Sequence, residues 1–178
     1  MQINSSYTLK QISEITGGDC FGKTDVQIKN IHFDSRRFAK NNCHLFIAFQ
    51  TAKNDGHKYL GEVYSSGIKQ FLLHKKPKKI ESDAGYLIVN DTLKALQIWA
   101  NHHRQKFDIP VLSITGSYGK TIIKEWIYFL THRNLKVTRS PKSYNSQFGA
   151  ALTLLSIKKE HELAIVETGI SFPGEMHK

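Results

Sequence analysis

The chemistry this chain could do is concentrated in Thr115-Gly116-Ser117-Tyr118-Gly119-Lys120-Thr121. Glycines let a backbone turn tightly and bring its amide N–H groups against phosphate oxygens, and the positive end of a following helix adds attraction. Lys120 stands where a mobile positive charge would reach the outer phosphates. The Thr121 hydroxyl stands where it would ligate a magnesium ion bridging them. Gly116, Ser117, Tyr118, Gly119, Lys120 and Thr121 therefore form the candidate phosphate-binding set, with Lys120 the candidate catalytic group. The spacing departs from the standard GxxxxGK[ST], because Ile114 occupies the place of its first glycine.

A second group belongs with these. Glu167 ends the apolar run Leu163-Ala164-Ile165-Val166 and precedes Thr168-Gly169. A carboxylate at the C-terminal end of a parallel strand opens onto the crevice where ligands bind in such sheets, which makes Glu167 a magnesium-ligand candidate beside Thr121. Other residues with metal-binding side chains do not combine. His102 and His103 are adjacent on a helical stretch, project about 100° apart and cannot easily share one ion, so both are expected to face solvent near the helix C-terminus. Cys20 and Cys43 form no CxxC pair and read as reduced thiols, with neither a disulfide framework nor a zinc site indicated.

The elements that must position these groups alternate. Thr8 and Gln11 make a capping box for a short helix that Gly17-Gly18 stops. Apolar runs at residues 45–49, 70–73 and 86–89 predict strands, with a helix between the first two over 59–67. From Asp91 a helix places Leu93, Leu96, Ala100, His103 and Phe107 on one face. Asp108-Ile109-Pro110 breaks it, which sets the expected boundary between domains 1–108 and 109–178.

Beyond the boundary, a strand over 111–115 leads into the glycine-rich loop. A helix over about 120–132 follows, with Ile123, Ile127 and Leu130 along one side. Strands over 136–138 and 163–167 flank a helix over 147–156. The fold class expected is α/β: a small N-terminal substrate-binding domain and then the first half of a P-loop ATPase domain. A nucleotide-binding sheet usually has about five strands, and only some three can be drawn here.

The net charge of +10 suits a polyanionic partner. The densest basic run, His74-Lys75-Lys76-Pro77-Lys78-Lys79, follows a strand, contains proline and reads as an exposed loop. Aromatic residues do not interleave with the basic ones and no RNA-reading motif is present, which argues against a nucleic-acid partner. No run approaches the roughly 20 apolar residues of a membrane span, and the start MQINSSYTLKQ lacks a secretory core. A cytoplasmic location is the expectation.

Several segments, taken in order, resemble one family. These are Asp34-Ser35-Arg36, Leu45-Phe46-Ile47-Ala48, Asn54-Asp55-Gly56-His57, Asp91-Thr92-Leu93-Lys94-Ala95-Leu96 and ITGSYGKT. Lys142-Ser143-Tyr144-Asn145-Ser146-Gln147-Phe148-Gly149, Glu167-Thr168-Gly169 and Pro173-Gly174-Glu175 complete the series. Together they are similar to the ATP-dependent Mur ligases of peptidoglycan precursor synthesis. Their wording is most similar to members that join D-alanyl-D-alanine to UDP-MurNAc-tripeptide, some of which carry a fused alanine racemase domain.

The resemblance implies ATP and Mg2+ as cofactors, and UDP-MurNAc-peptide and D-alanyl-D-alanine as substrates. It implies an acyl phosphate formed from ATP and attacked by the amine. It also implies that Ser35, Arg36 and His57 hold the UDP end, and that Asn145 contacts substrate or positions nucleotide. Tyr118 stands where the family usually has a small or polar residue, Asn41-Asn42-Cys43 replaces a common Pro-Gly turn, and Ala150-Ala151 replaces Val-Pro. The family's remaining central domain, with its modified lysine, and its C-terminal domain have no counterpart in the 178 residues, so the chain is expected not to catalyse alone. A folylpolyglutamate-type ligase would share the loop but not the front segments Asp34-Ser35-Arg36 and Asp55-Gly56-His57.

Overall fold

A computed structural model describes residues 2–33, 44–51, 54–142 and 144–170, with residues 2–6 as backbone only. The chain divides into two compact units, residues 1–99 and 100–178.

The first unit is built on a six-stranded sheet in the order β1-β3-β4-β5-β6-β2. Its strands are β1 (Gln2–Tyr7), β2 (Asp19–Gly22), β3 (Ile28–His32), β4 (His44–Ile47), β5 (Gln70–Leu73) and β6 (Gly85–Ile88). Strands β3 to β6 run parallel, and β1 and β2 close the two edges antiparallel. Every residue of β4 and β5 is buried, as expected of central parallel strands covered on both faces. Helix α1 (Leu9–Thr16) carries the capping box, with the Thr8 hydroxyl accepting from Gln11 N and the Gln11 side chain accepting from Thr8 N. It ends on Gly17 in the left-handed conformation.

Between β4 and β5 the expected single helix is a 3-10 turn, Gly56–Tyr59, followed by α2 (Leu60–Ser65). The core includes Phe46, Val63, Ile68, Phe71 and Tyr86. The edge strands β1 and β2, and β3 beside β1, carry no continuous apolar run; the burial of β3 reads B-e-i-B-i and that of β2 is only partial, so hydrophobic patterning gave no sign of them.

Helix α3 (Thr92–Arg104) begins in the first unit and its last turns belong to the second. The second unit has a three-stranded parallel sheet in the order β7-β9-β8. Its strands are β7 (Val111–Ile114), β8 (Val137–Arg139) and β9 (Leu163–Glu167), joined through α4 (Lys120–Thr131) and α5 (Gln147–Leu155). His103 does not face solvent as expected. Its ring is fully buried in this unit, with Nε2 3.0 Å from the carbonyl of Ile157, because position 103 continues the apolar face of α3, while His102 is exposed. On α4, Ile123 is 46% and Leu130 72% exposed, whereas Lys124 is fully buried. The residue that α4 turns into its unit is thus a lysine. Among the described residues, no helix is long and apolar enough to cross a membrane.

Candidate functional site

The glycine-rich loop leaves the C-terminal end of β7 and enters α4. Gly116 has φ of 145° and Gly119 φ of 76°, both in the region where an L side chain is strained, so these two positions set the turn. Among the described residues no side chain caps α4, unlike α1, capped by Thr8, and α5, where the Ser146 hydroxyl accepts from Gly149 N. An uncapped N-terminus with its dipole is suited to an anion. The Tyr118 side chain stands 94% exposed, so the unusual residue takes no space inside the loop. The Lys120 amine folds back to donate to the Gly116 carbonyl, within reach of any group the loop would hold.

Glu167 is the hub of the second unit. β9 is the central strand, and Glu167 lies in register with Ile114, so the carboxylate and the loop emerge at the same sheet edge. Fully buried, it accepts the Thr121 hydroxyl on both oxygens, at 2.9 and 3.0 Å, and Asn145 Nδ2 on Oε1 at 3.3 Å. Lys124 Nζ lies 3.2 Å from Oε2, 3.3 Å from a Glu125 oxygen, and donates to the carbonyl of Lys142.

The backbone of Glu167 is also fixed. Its N–H donates to Ser140 Oγ at 2.9 Å, and Ser140 Oγ is 3.0 Å from Thr153 Oγ1, which donates to the Gly149 carbonyl at 2.8 Å. The segment carrying Asn145 is tied to the end of β9 by Gly169 N donating to the Asn145 carbonyl at 2.5 Å. The close approach of Tyr144 requires glycine at 149, where a Cβ would lie 2.7 Å from the Tyr144 backbone. A hydroxyl and a carboxylate 2.9 Å apart at the mouth of a phosphate loop are hard oxygen donors. They fit a magnesium ion that keeps waters and phosphates as its other ligands.

The first unit holds a separate cleft of about 420 Å3, lined by His57, Tyr64, Phe71, Tyr86 and the basic run from Lys75 to Lys79. The Asp55 carboxylate organises its mouth: Oδ1 accepts from His57 N at 2.9 Å and lies 2.8 Å from His57 Nδ1, and Oδ2 accepts from Lys75 Nζ at 2.8 Å. The Lys75 ammonium, then the His57 amide, hold the Asp55 carboxyl well below the usual carboxylate range. Burial pushes the His57 imidazole below 6.5. A neutral ring that gives its Nδ1 proton to Asp55 presents Nε2 as an acceptor, and that atom is buried with no hydrogen-bond partner among the described residues.

Of the residues singled out from sequence, Thr121, Asn145 and Glu167 meet beside the loop Gly116–Lys120, and His57 lies in the first unit's cleft. Ser35, Arg36, Cys43 and the segment Pro173-Gly174-Glu175 fall outside the described residues. Lys124 and Ser140 were not singled out from sequence, and Asp55 and Lys75 stood there only within a family segment and a basic loop. Lys124 had a signal, since it stands one turn after Lys120 on the same face of α4. Ser140 had none, because its role depends on a strand pairing that only the sheet order reveals.

Comparison with known proteins places these observations. Residues 114–178 match the Mur ligase middle domain. The UDP-N-acetylmuramoyl-tripeptide--D-alanyl-D-alanine ligase of Buchnera aphidicola is 33% identical over 171 residues, covering 96% of this chain and 36% of that protein. A crystal structure of MurF from Acinetobacter baumannii superposes with a TM-score of 0.86 at 25% identity, over 98% of this chain and 38% of that one. MurF ligase from Thermotoga maritima in complex with ADP superposes with a TM-score of 0.68 at 26% identity, over 82% of this chain and 33% of that one. The chain therefore spans little more than a third of the length of the relatives it matches. With residues 114–178 matching the middle domain and 96% of the chain aligning at 33% identity to a ligase of this kind, the chain belongs to the Mur ligase family.

Proposed function

We propose that this chain carries the UDP-MurNAc-binding module (residues 1–108) and the opening of the ATP-binding domain (109–178) of a cytoplasmic, ATP- and Mg2+-dependent C–N ligase. The reaction is the joining of D-alanyl-D-alanine to UDP-MurNAc-tripeptide. The observation that carries the reading is the convergence of Thr121 and Asn145 on the buried Glu167 carboxylate at the end of the phosphate loop.

In this reading the loop amides and Lys120 bind and orient the ATP phosphates, the ammonium exchanging the Gly116 carbonyl for a phosphate oxygen. Thr121 and Glu167 hold the magnesium ion, which when bound neutralises charge on the transferring phosphoryl group. Asn145, whose Nδ2 donates to the Glu167 carboxylate, contacts the peptide substrate or positions the nucleotide. The acceptor carboxylate of the peptide substrate takes the γ-phosphoryl group from ATP, releasing ADP and giving an acyl phosphate; the dipeptide amine then attacks the acyl carbon, losing a proton as inorganic phosphate leaves.

In the first unit, Ser35, Arg36 and His57 hold the UDP portion. The exposed lysines at 75, 76, 78 and 79 supply positive charge for the diphosphate, and His57 Nε2 accepts an N–H or O–H of the nucleoside. The experiment is calorimetric titration of the chain with UDP-MurNAc-tripeptide, with single-stranded RNA as comparator at two salt concentrations. Saturable binding weakened by Arg36→Ala and by His57→Ala supports the reading. RNA binding with a steep salt dependence, and no response to the UDP compound, refutes it.

A further inference from the structure

Lys124 is a group that the ligase chemistry above does not use. It is the one lysine among the fully buried side chains of the described residues, and its Nζ faces Glu167 Oε2 at 3.2 Å and Glu125 Oε1 at 3.3 Å and donates to the Lys142 carbonyl. That carbonyl is aimed by an uncommon backbone. Lys142 is the one described non-glycine residue with positive φ, at 51°, a conformation that persists only where surroundings hold it. A buried ammonium with three oxygen partners, one made available by a strained residue, is costly to assemble. Helix packing alone would be served by an apolar residue at 124.

The placement has an electrostatic consequence. Without ligand, the carboxylate proposed to hold magnesium already has a cation on Oε2 and hydroxyl and amide donors on its remaining lone pairs. We propose that Lys124 is a positioning residue whose ammonium stays on Glu167 and offsets its charge, so that the site rejects a free divalent cation and admits it only as the metal–nucleotide complex. The inference rests on the reading of Thr121 and Glu167 as the magnesium-holding pair. Polyphosphate oxygens supply the negative charge that outweighs the ammonium. The Thr121 hydroxyl then turns its proton away from Glu167 and its lone pair toward the metal. Lys124 keeps Oε2 and the Lys142 carbonyl in place, which holds the Asn145 segment against the end of β9.

Mn2+, the probe, is followed by its electron paramagnetic resonance signal on binding to the 178-residue chain, alone and with ADP, in the wild type, Lys124→Met and Lys124→Arg. Wild type is expected to bind Mn2+ at least about tenfold more tightly with ADP than without. Lys124→Met, which removes a positive charge beside the carboxylate, is expected to gain at least about tenfold in nucleotide-free Mn2+ affinity. Lys124→Arg keeps the charge and is expected to match the wild type. A lysine with only a packing role predicts equal or weaker nucleotide-free binding in Lys124→Met.

Tight nucleotide-free Mn2+ binding by the wild type overturns the inference without reference to any variant. So does a Lys124→Met protein that binds Mn2+–ADP but shows no gain with Mn2+ alone. Absence of Mn2+–ADP binding in the wild type overturns instead the reading of the loop and Glu167 on which the inference stands.

Discussion

Replacing Ser140 by alanine tests how the Glu167 hub is held. The direction of each hydrogen bond in this cluster follows from donors alone. Thr153 spends its one proton on the Gly149 carbonyl at 2.8 Å, so the Ser140 proton goes to Thr153 Oγ1 at 3.0 Å, and Ser140 Oγ accepts the Glu167 N–H at 2.9 Å. Ser140 and Thr153 are both fully buried, so water does not replace what is lost. Ser140→Ala orphans a buried N–H, which costs about 1–3 kcal/mol, and removes a hydroxyl–hydroxyl bond of about 1 kcal/mol.

The expected loss is about 2–4 kcal/mol, seen as a fall of roughly 1–2 M in the urea midpoint followed by far-UV circular dichroism. Thr153→Val should cost less, about 1 kcal/mol, since the Glu167 N–H keeps its acceptor. The double variant should fall short of the sum by more than about 0.5 kcal/mol, because the two changes share one bond. A Ser140→Ala protein within about 0.5 kcal/mol of wild type, or strict additivity, would refute the relay.

Gly149→Ala places a methyl 2.7 Å from the Tyr144 carbonyl carbon and oxygen, backbone that cannot rotate away. It should cost about 1–3 kcal/mol in urea unfolding and shift the Asn145 amide resonance; an unchanged midpoint contradicts the close approach. Stability should fall on acidification below pH 6.5. Burial holds the His57 and His103 imidazoles below 6.5 in the folded chain, so from 6.5 downward the unfolded chain takes up protons first, and the stabilisation present above 6.5 is lost as pH falls. Melting temperatures at about pH 7.5 and 5.5 should show the drop, and His103→Gln should reduce it; a drop equal in the variant assigns the effect elsewhere.

Chain patterning exposed the elements with apolar runs or helical periodicity, among them β7, β9 and the helices α3 and α4. It did not expose β1, β2 and β3, because edge positions and single-sided burial leave short, mixed sequences such as Ile28-Lys29-Asn30-Ile31-His32. His103 illustrates a conflict within the sequence: its spacing put it on the apolar face, its residue type argued for solvent, and the packing against Ile157 followed the spacing. The candidate site was legible where backbone conformation demands a residue type, at Gly116 and Gly119, and where a strand ends in a carboxylate, at Glu167. Ser140 was not, since its meaning lies in which strand neighbours which, and Lys124 showed only its spacing from Lys120, not the carboxylate it meets.

Binding of a fluorescent ADP analogue to the 178-residue chain, in Mg2+ and in chelator, tests the central claim most directly: that the loop, Lys120, Thr121 and Glu167 form a magnesium–nucleotide site. The account predicts saturable binding that needs Mg2+ and weakens at least about tenfold in Lys120→Ala, the loss of a charge-assisted contact to phosphate. Binding that ignores both Mg2+ and Lys120→Ala, or no saturable binding by a chain shown to be folded, would contradict it.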